Sequence, residues 1–498
     1  MILMAVIRHY QLQAATNAYI AQLKSQGEPM DLASILPPPV PPEKNGADIV
    51  RQVASLLDTN TTLLKTNYDI PAMKMVAPGK AIIGWQQPDV REVDATNSWQ
   101  EVGAAVAQNT NIFALLYQII DKPDFDFQIQ YSQGVDAVDF SKCELPQSKR
   151  ATQWLSAAAV YHLHTGDTAS AVDDVRAMLA VIQAMRDERF LISELVRIAI
   201  SHNAAGSTWE ILESPKVTDE QLAQLQHDWS NLEFIRSGEN ALAMERVTGR
   251  ISLATWRAST SKFASYLDKG ESAFEAADLV SGEETLWTKA LKKPKILMWK
   301  YWWSYPDELL SLKGYEILLK SIRKAQSSSS LKSVIDDQTD NLYRLNLTNE
   351  DFFSSFSPNP NFHTMISEDI PSLGVLIRRV MDAEVAQKVV TTAIALKRYQ
   401  LKHGNYPLDL DTLVPEFLPA VPLDSVDGNP LRYRLNPNGT YLLYSVGPNG
   451  KDDGGNPALD ESVKGGNMSW LNNHALDWVW PQLATEAEIQ NYWSHPKK

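Results

Sequence analysis

The sequence predicts a mainly α-helical chain that ends in a small α+β unit. The expected architecture is a helical domain, partly of tetratricopeptide-like hairpins, then a long helix packed on a small antiparallel sheet. Three observations carry this. Apolar residues recur at helical spacing through much of 8–370. A second helical run, through Val385, Val389, Ala393, Leu396 and Tyr399, stops at His403-Gly404, a late histidine followed by a C′ glycine. Beyond it, strand-forming residues at 431–435 and 441–445 flank Asn436-Pro437-Asn438-Gly439-Thr440, whose Asn-Gly pair has turn chemistry.

Taken in order, residues 1–44 open with an amphipathic helix over 8–27. Pro37, Pro38, Pro39, Pro41 and Pro42 follow and force an extended, polyproline-like arm, expected to lie along the next domain. The helical domain, 45–370, starts at Asn45-Gly46. The alternation in 125–131 suits a short strand or an extended segment. Helices over 151–164 and 169–186, joined by Thr165-Gly166-Asp167, have the shape of a tetratricopeptide hairpin, but no second copy follows at a period near 34 residues. Further helices fit 192–211, 219–232 and 239–249. Pro358, Pro360 and Pro371 interrupt helical propagation, so a boundary is expected near 370, with 371–498 carrying its own core.

Composition narrows the function. A chain of 498 residues, 44% hydrophobic and 21% charged, is an ordinary globular protein able to bury at least two cores. A net charge of −14 argues against a general nucleic-acid binder, which needs a basic surface. The single cysteine, Cys143, excludes an intrachain disulfide and a cysteine-based zinc site, and reads as a passive residue. Seven largely apolar residues precede Arg8. They fall short of the roughly 20 that span a bilayer and lack the basic start of a signal peptide. The expectation is the stump of a membrane anchor.

Sequence motifs for chemistry are sparse. Gly-x-Ser-x-Gly, Walker A, Gly-x-Gly-x-x-Gly and His-Glu-x-x-His are all absent. His162 and His164, two apart, diverge on a helix; His202, His227 and His363 stand alone. The acidic pairs Asp173-Asp174 and Asp187-Glu188 read as solvated helix faces. Lys292, Lys293 and Lys295 beside Trp299, Tyr301, Trp302, Trp303 and Tyr305 suit a helix packing aromatics into the core, a membrane interface, or a carbohydrate or peptide platform. The strongest candidate is Asn449-Gly-Lys-Asp-Asp-Gly-Gly-Asn456. Calcium takes six to eight oxygens on a backbone that can turn on itself, and Asp452, Asp453 and two glycines supply both.

The last quarter of the chain also carries a resemblance. Tyr399-x-Leu-x-His-Gly-x-Tyr-Pro407, Leu413-Val-Pro-Glu-Phe-Leu-Pro-x-Val-Pro-x-Asp424, Asp427-Gly-Asn-Pro-Leu-x-Tyr433 and Leu443-Tyr-Ser-Val-Gly-Pro-Asn-Gly450 follow a helix in that order. The series resembles the globular head of the major pseudopilin of bacterial type II secretion. The resemblance implies a long helix on a small antiparallel sheet and a calcium-binding loop after the last strand. It makes Asp452, Asp453 and Asp477 the metal ligands, with backbone carbonyls near 445–448 and an inserted segment at 456–476. The whole chain is similar to large bacterial membrane-anchored proteins that end in such a head. The pilin leader and its long polymerising helix do not precede Ala383; a helical domain does, so a non-polymerising module is implied. The expected function is a non-enzymatic scaffold or interaction protein with protein partners in the cell envelope, extracytoplasmic, associated with the inner membrane and connected with secretion. An enzyme with its site in the helical domain, or a tetratricopeptide-like peptide-binding module, are the alternatives.

Overall fold

The computed structural model describes residues 2–59, 99–122, 124–137, 145–267, 294, 296–327, 330–353, 370–458 and 475–483. Among these, the chain is mostly helical, with one three-stranded antiparallel sheet near its C-terminal end. Cys143, Lys292, Lys293, Lys295, Pro358, Pro360 and His363 lie outside the described residues.

Helix α1, Ile2–Ser25, leads through a 3-10 turn capped by Asp31 into the proline arm. The arm lies along the helical domain as expected. Pro37–Val40 faces Phe125–Tyr131, and the Arg189 guanidinium donates to the carbonyl of Ile35. Residues 125–130 form no strand; Gln128 turns the backbone with a φ of 56°, and Tyr131 opens a 3-10 helix, Tyr131–Ala137. The segment is fixed by a bridge from Asn45 to Asp124 and by the Asn45 side chain, which accepts from Asp126 N at 3.0 Å.

Helices α2 (Ala47–Thr59), α3 (Trp99–Gln108) and α4 (Thr110–Tyr117) precede the hairpin of α5 (Leu145–Thr165) and α6 (Thr168–Ala184). The hairpin turns at Gly166, whose φ of 82° a side chain would resist, and Asp167 caps α6 by accepting from Ser170 N. Helix α7 (Leu191–Leu212) follows, then α8 (Asp219–Ser230), which begins with a reciprocal capping box of Thr218 and Gln221. Helix α9 is Phe234–Ala258. A π-helical turn, Trp299–Trp303, opens into α10 (Ser304–Ser327); α11 is Leu331–Phe353.

Helix α12, Ile370–His403, is the element the others surround. At 34 residues it is about 51 Å long. Ile377, Val380, Met381, Val385, Val389, Val390, Ala393, Ile394 and Leu396 are all buried. They cover more than one face, as in a helix enclosed by neighbours. Those neighbours are α7, α8, α9, α10, α11 and strand β2.

Strands β1 (Arg432–Leu435), β2 (Tyr441–Val446) and β3 (Asp477–Val479) pair in that order. Arg432 lies opposite Tyr444, and Val446 opposite Asp477. β3 has no counterpart in the sequence reading, because the segment before it separates it from its partner by some thirty residues. One apolar cluster runs from Ile35 through the helices to Trp480, and so passes through 1–44, 45–370 and 371–498 alike.

One member of each acidic pair departs from the solvated face expected of it, while Asp173 is exposed and Asp187 partly exposed. Asp174 and Glu188 are buried. Their polar partners come from other elements: Asp174 accepts from Tyr117, and Glu188 from Ser193 Oγ at 2.6 Å.

Candidate functional site: the carboxylates around the C-terminal sheet

The polar residues of the C-terminal motifs converge on one end of the sheet, at the start of β1, the end of β2 and the start of β3. A turn over 424–429, closed by Asp424 N donating to Asn429 O, delivers Asp424 and Asp427 to the start of β1. There the side chain of Arg432 meets both. Asp424 is wholly buried and saturated: Oδ1 accepts from Val426 N at 3.0 Å and Ser445 Oγ at 2.8 Å, and Oδ2 from Val446 N at 2.8 Å and Arg432 Nη1 at 3.2 Å. Arg432 grips Asp427 with both terminal nitrogens and reaches Asp452 through Nε at 3.4 Å. One guanidinium therefore contacts three carboxylates, using the fork geometry that arginine supplies.

These contacts set the charge states. Burial pushes the Asp424 carboxyl upward, against the hydrogen bonds it accepts. Arg432 holds Asp427 down at about 2. Burial raises Asp452 too, but the hydrogen bonds from Gly454 N, Tyr444 and Arg432 outweigh it and leave the group below the usual carboxylate range. Asp477 is pushed up by burial.

The three predicted ligands are brought to one loop. Asp477, at the start of β3, is wholly buried and caps the loop's return: Oδ1 accepts from Asp453 N at 3.3 Å, Oδ2 from Gly455 N at 2.8 Å and Asn456 N at 2.9 Å. Asp452 accepts from Tyr444 Oη at 2.9 Å and Gly454 N at 3.0 Å. Asp453 is exposed and accepts from Asn449 Nδ2 at 2.8 Å. Gly447 lets the loop pass against β3, since a Cβ there would collide with the carbonyl of Leu476. As a cation shell the fit is incomplete. Backbone N–H groups occupy Asp477, and a guanidinium lies against Asp452. Among the described residues, no group of three or more His, Cys, Asp or Glu side chains is arranged to hold a metal ion.

Asp424 and Arg432 are the residues sequence reasoning missed. Asp424 ends one of the motifs but carried no role there; Arg432 is one of two arginines in a short strand. Nothing local marks either as the hub.

A second polar group lies in the helical domain. Tyr117 Oη donates to Asp174 Oδ1 at 2.6 Å, and His162 Nδ1 lies 2.7 Å from Asp174 Oδ2. Burial pulls the imidazole downward, but the hydrogen bond and charge of Asp174 prevail and raise it above its ordinary value. His164, two residues on, is exposed. His202 is pushed down to about 4, chiefly by burial and then by the charge of Arg379.

No protein family, curated protein or solved structure matches this chain.

Proposed function

We propose that the chain is a non-enzymatic, envelope-associated scaffold or interaction protein. Its C-terminal unit is a pseudopilin-like head that presents surfaces to protein partners in the cell envelope, in connection with type II secretion. The observation that supports this reading best is how the polar residues of the C-terminal motifs are spent. Asp424, Arg432, Ser445 and Asp477 direct their hydrogen-bonding capacity at one another and at loop N–H groups. They fasten loops to a sheet and so hold a shape, which is the requirement of a display module. Fractionation of cells carrying the full-length gene tests the compartment. Recovery with the inner membrane on its outer side is expected; clean recovery in the cytosol overturns it.

Calcium binding by Asp452, Asp453 and Asp477 is the narrower part of the proposal. Their convergence on one glycine-containing loop supports it. The N–H groups on Asp477 and the guanidinium on Asp452 oppose it, because each takes lone pairs that a shell of six to eight oxygens would use. Thermal unfolding in millimolar calcium and in chelator decides. Calcium at one to ten times Kd adds about 0.4–1.4 kcal/mol, so a site with Kd of about 10⁻⁴–10⁻³ M gives a small rise that Asp453→Ala removes. Equal melting temperatures leave the loop a hydrogen-bonded structure without metal.

The α5–α6 hairpin and the Tyr117–Asp174–His162 group support the second reading, a tetratricopeptide-like peptide site or an enzyme in the helical domain. A hydrolytic or peptide-binding activity lost in His162→Gln, with unchanged melting above neutral pH, would carry that reading instead.

A further inference from the structure

We propose that the exposed apolar face shared by the first turns of α1 and the π-helical turn before α10 is a membrane-surface contact that takes an anionic lipid bilayer. The inference deepens the envelope reading and rests on it for its cellular setting.

Val6, Ile7 and Tyr10 are 45%, 48% and 64% exposed, and their spacing puts them on one face of α1. Met298, Tyr301 and Trp302 are 45%, 54% and 49% exposed and likewise share a face. The two faces are joined. His9 Nδ1 lies 2.7 Å from the carbonyl of Tyr301, and the His9 ring meets the Tyr305 ring edge-on at 5.1 Å. Further along α1, Thr16 Oγ1 donates to Tyr305 O at 3.2 Å, and Leu23 is buried against Leu312. The chain that follows is locked by Glu28, which accepts from the buried Arg246 at 2.8 Å and also from Arg323. The apolar face is therefore held in place by packing rather than left on a loose end.

Charge identifies the occupant. The chain holds 60 Asp and Glu, yet α1 has none and Trp299–Trp303 has none. Around the face stand Arg8 and Lys300; Lys300 lies 5.6 Å over the Tyr301 ring, while Arg257, 4.6 Å over the Tyr305 ring, is paired with Glu308 at 2.6 Å. A second copy docked about a two-fold axis would set these cations against their own images. An anionic bilayer offers the opposite charge, and tryptophan and tyrosine rings settle at headgroup level. Beyond Tyr10 the exposed side of α1 carries no large apolar residue, only alanines and polar residues such as Gln11, Asn17 and Gln22. The contact is interfacial, with the helix resting on the lipid surface. Among the described residues no helix is long and apolar enough to cross a membrane.

The test is flotation of the purified full chain with phosphatidylcholine vesicles, with and without about 30% phosphatidylglycerol. We expect flotation with the anionic vesicles, weaker with neutral ones and weakened by salt. Tyr301→Ser combined with Trp302→Ser should lower partitioning at least about tenfold. Trp302→Phe should keep flotation but lose most of the tryptophan quenching by brominated lipid. This conservative variant decides should the double variant fail to fold. Three results overturn the proposal: no flotation of the wild type, flotation undiminished in the folded double variant, or a wild-type dimer that the variant dissolves. A chain that fractionates with the envelope but does not float sinks this inference alone. A chain that floats in vitro but is recovered from the cytosol sinks the envelope reading instead.

Discussion

At the scale of single residues, buried charges are where the fold is most exposed to substitution. Asp424 is the clearest case, because one carboxylate answers two backbone N–H groups, a serine hydroxyl and a guanidinium. Asp424→Ala leaves those donors unpaired inside the protein. Removing one member of a buried charge pair typically costs about 3–5 kcal/mol, so the melting temperature should fall by many degrees. Asp424→Asn keeps the size but loses the charge and should fall between. A wild-type melting temperature for Asp424→Ala would contradict the hub. His162 gives a prediction with a pH sign. Its folded pKa lies above the unfolded value of about 6.5. The groups facing it are Asp174, to which Tyr117 also donates, and Asp167. A raised value means that the stabilisation is complete below the unfolded pKa and fades as pH rises through the folded one. His162→Gln should therefore lower the melting temperature more at about pH 5.5 than at about pH 8.5. A penalty that grows with pH would refute the pairing.

At the scale of elements, what was legible in the sequence was what local chemistry decides. The hairpin at Thr165–Asp167, the stop at His403-Gly404 and the Asn438-Gly439 turn each follow from residues within a few positions, and each stands where it was expected. Burial was not legible, because it depends on partners far along the chain. Asp174 looks like a solvated helix residue until Tyr117, 57 residues away, reaches it. β3 was missed for the same reason: a three-residue strand has too little periodicity to announce itself. The candidate site was half legible. Asp452 and Asp453 lie in the loop from whose backbone N–H groups Asp477 accepts, but the other partners, above all Arg432, could only be seen in three dimensions. In the aromatic stretch Trp299 packs into the core, while Tyr301 and Trp302 are exposed. The anchoring of α1 yields an element-scale prediction. Glu28→Gln strips the charge partner from Arg246, whose side chain is wholly buried and whose Nε and Nη1 already have no partner. A loss of about 3–5 kcal/mol is expected, and hydrogen exchange should quicken first in α1. Unchanged protection of α1 would show that its apolar contacts alone hold it.

At the scale of the whole molecule, the question is whether the head and the helical domain behave as one body. Sequence punctuation near 370 suggests a boundary, yet the apolar cluster continues through it. Polar contacts cross it as well. Trp209 Nε1 donates to Pro481 O at 3.0 Å, Gln226 Nε2 to Phe417 O at 2.7 Å, Leu331 N to Ser425 O at 2.8 Å and Gln387 Nε2 to Trp229 O at 2.8 Å. Each is buried or closes a backbone group that would otherwise lack a partner, so separating the parts strands several polar groups at once. It also uncovers the sides of α12 that face α7 to α10. Cooperativity follows shared buried surface, and domains that share a core unfold together. The full chain should then show coincident unfolding of β2 and of α6 when both are followed by hydrogen exchange across a denaturant series. The isolated 371–498 fragment should melt far below the full chain, or without a cooperative transition. Two separated transitions, with the fragment matching the more stable one, would establish the head as an independent unit. The long helix would then be a connector between two bodies instead of the axis of one.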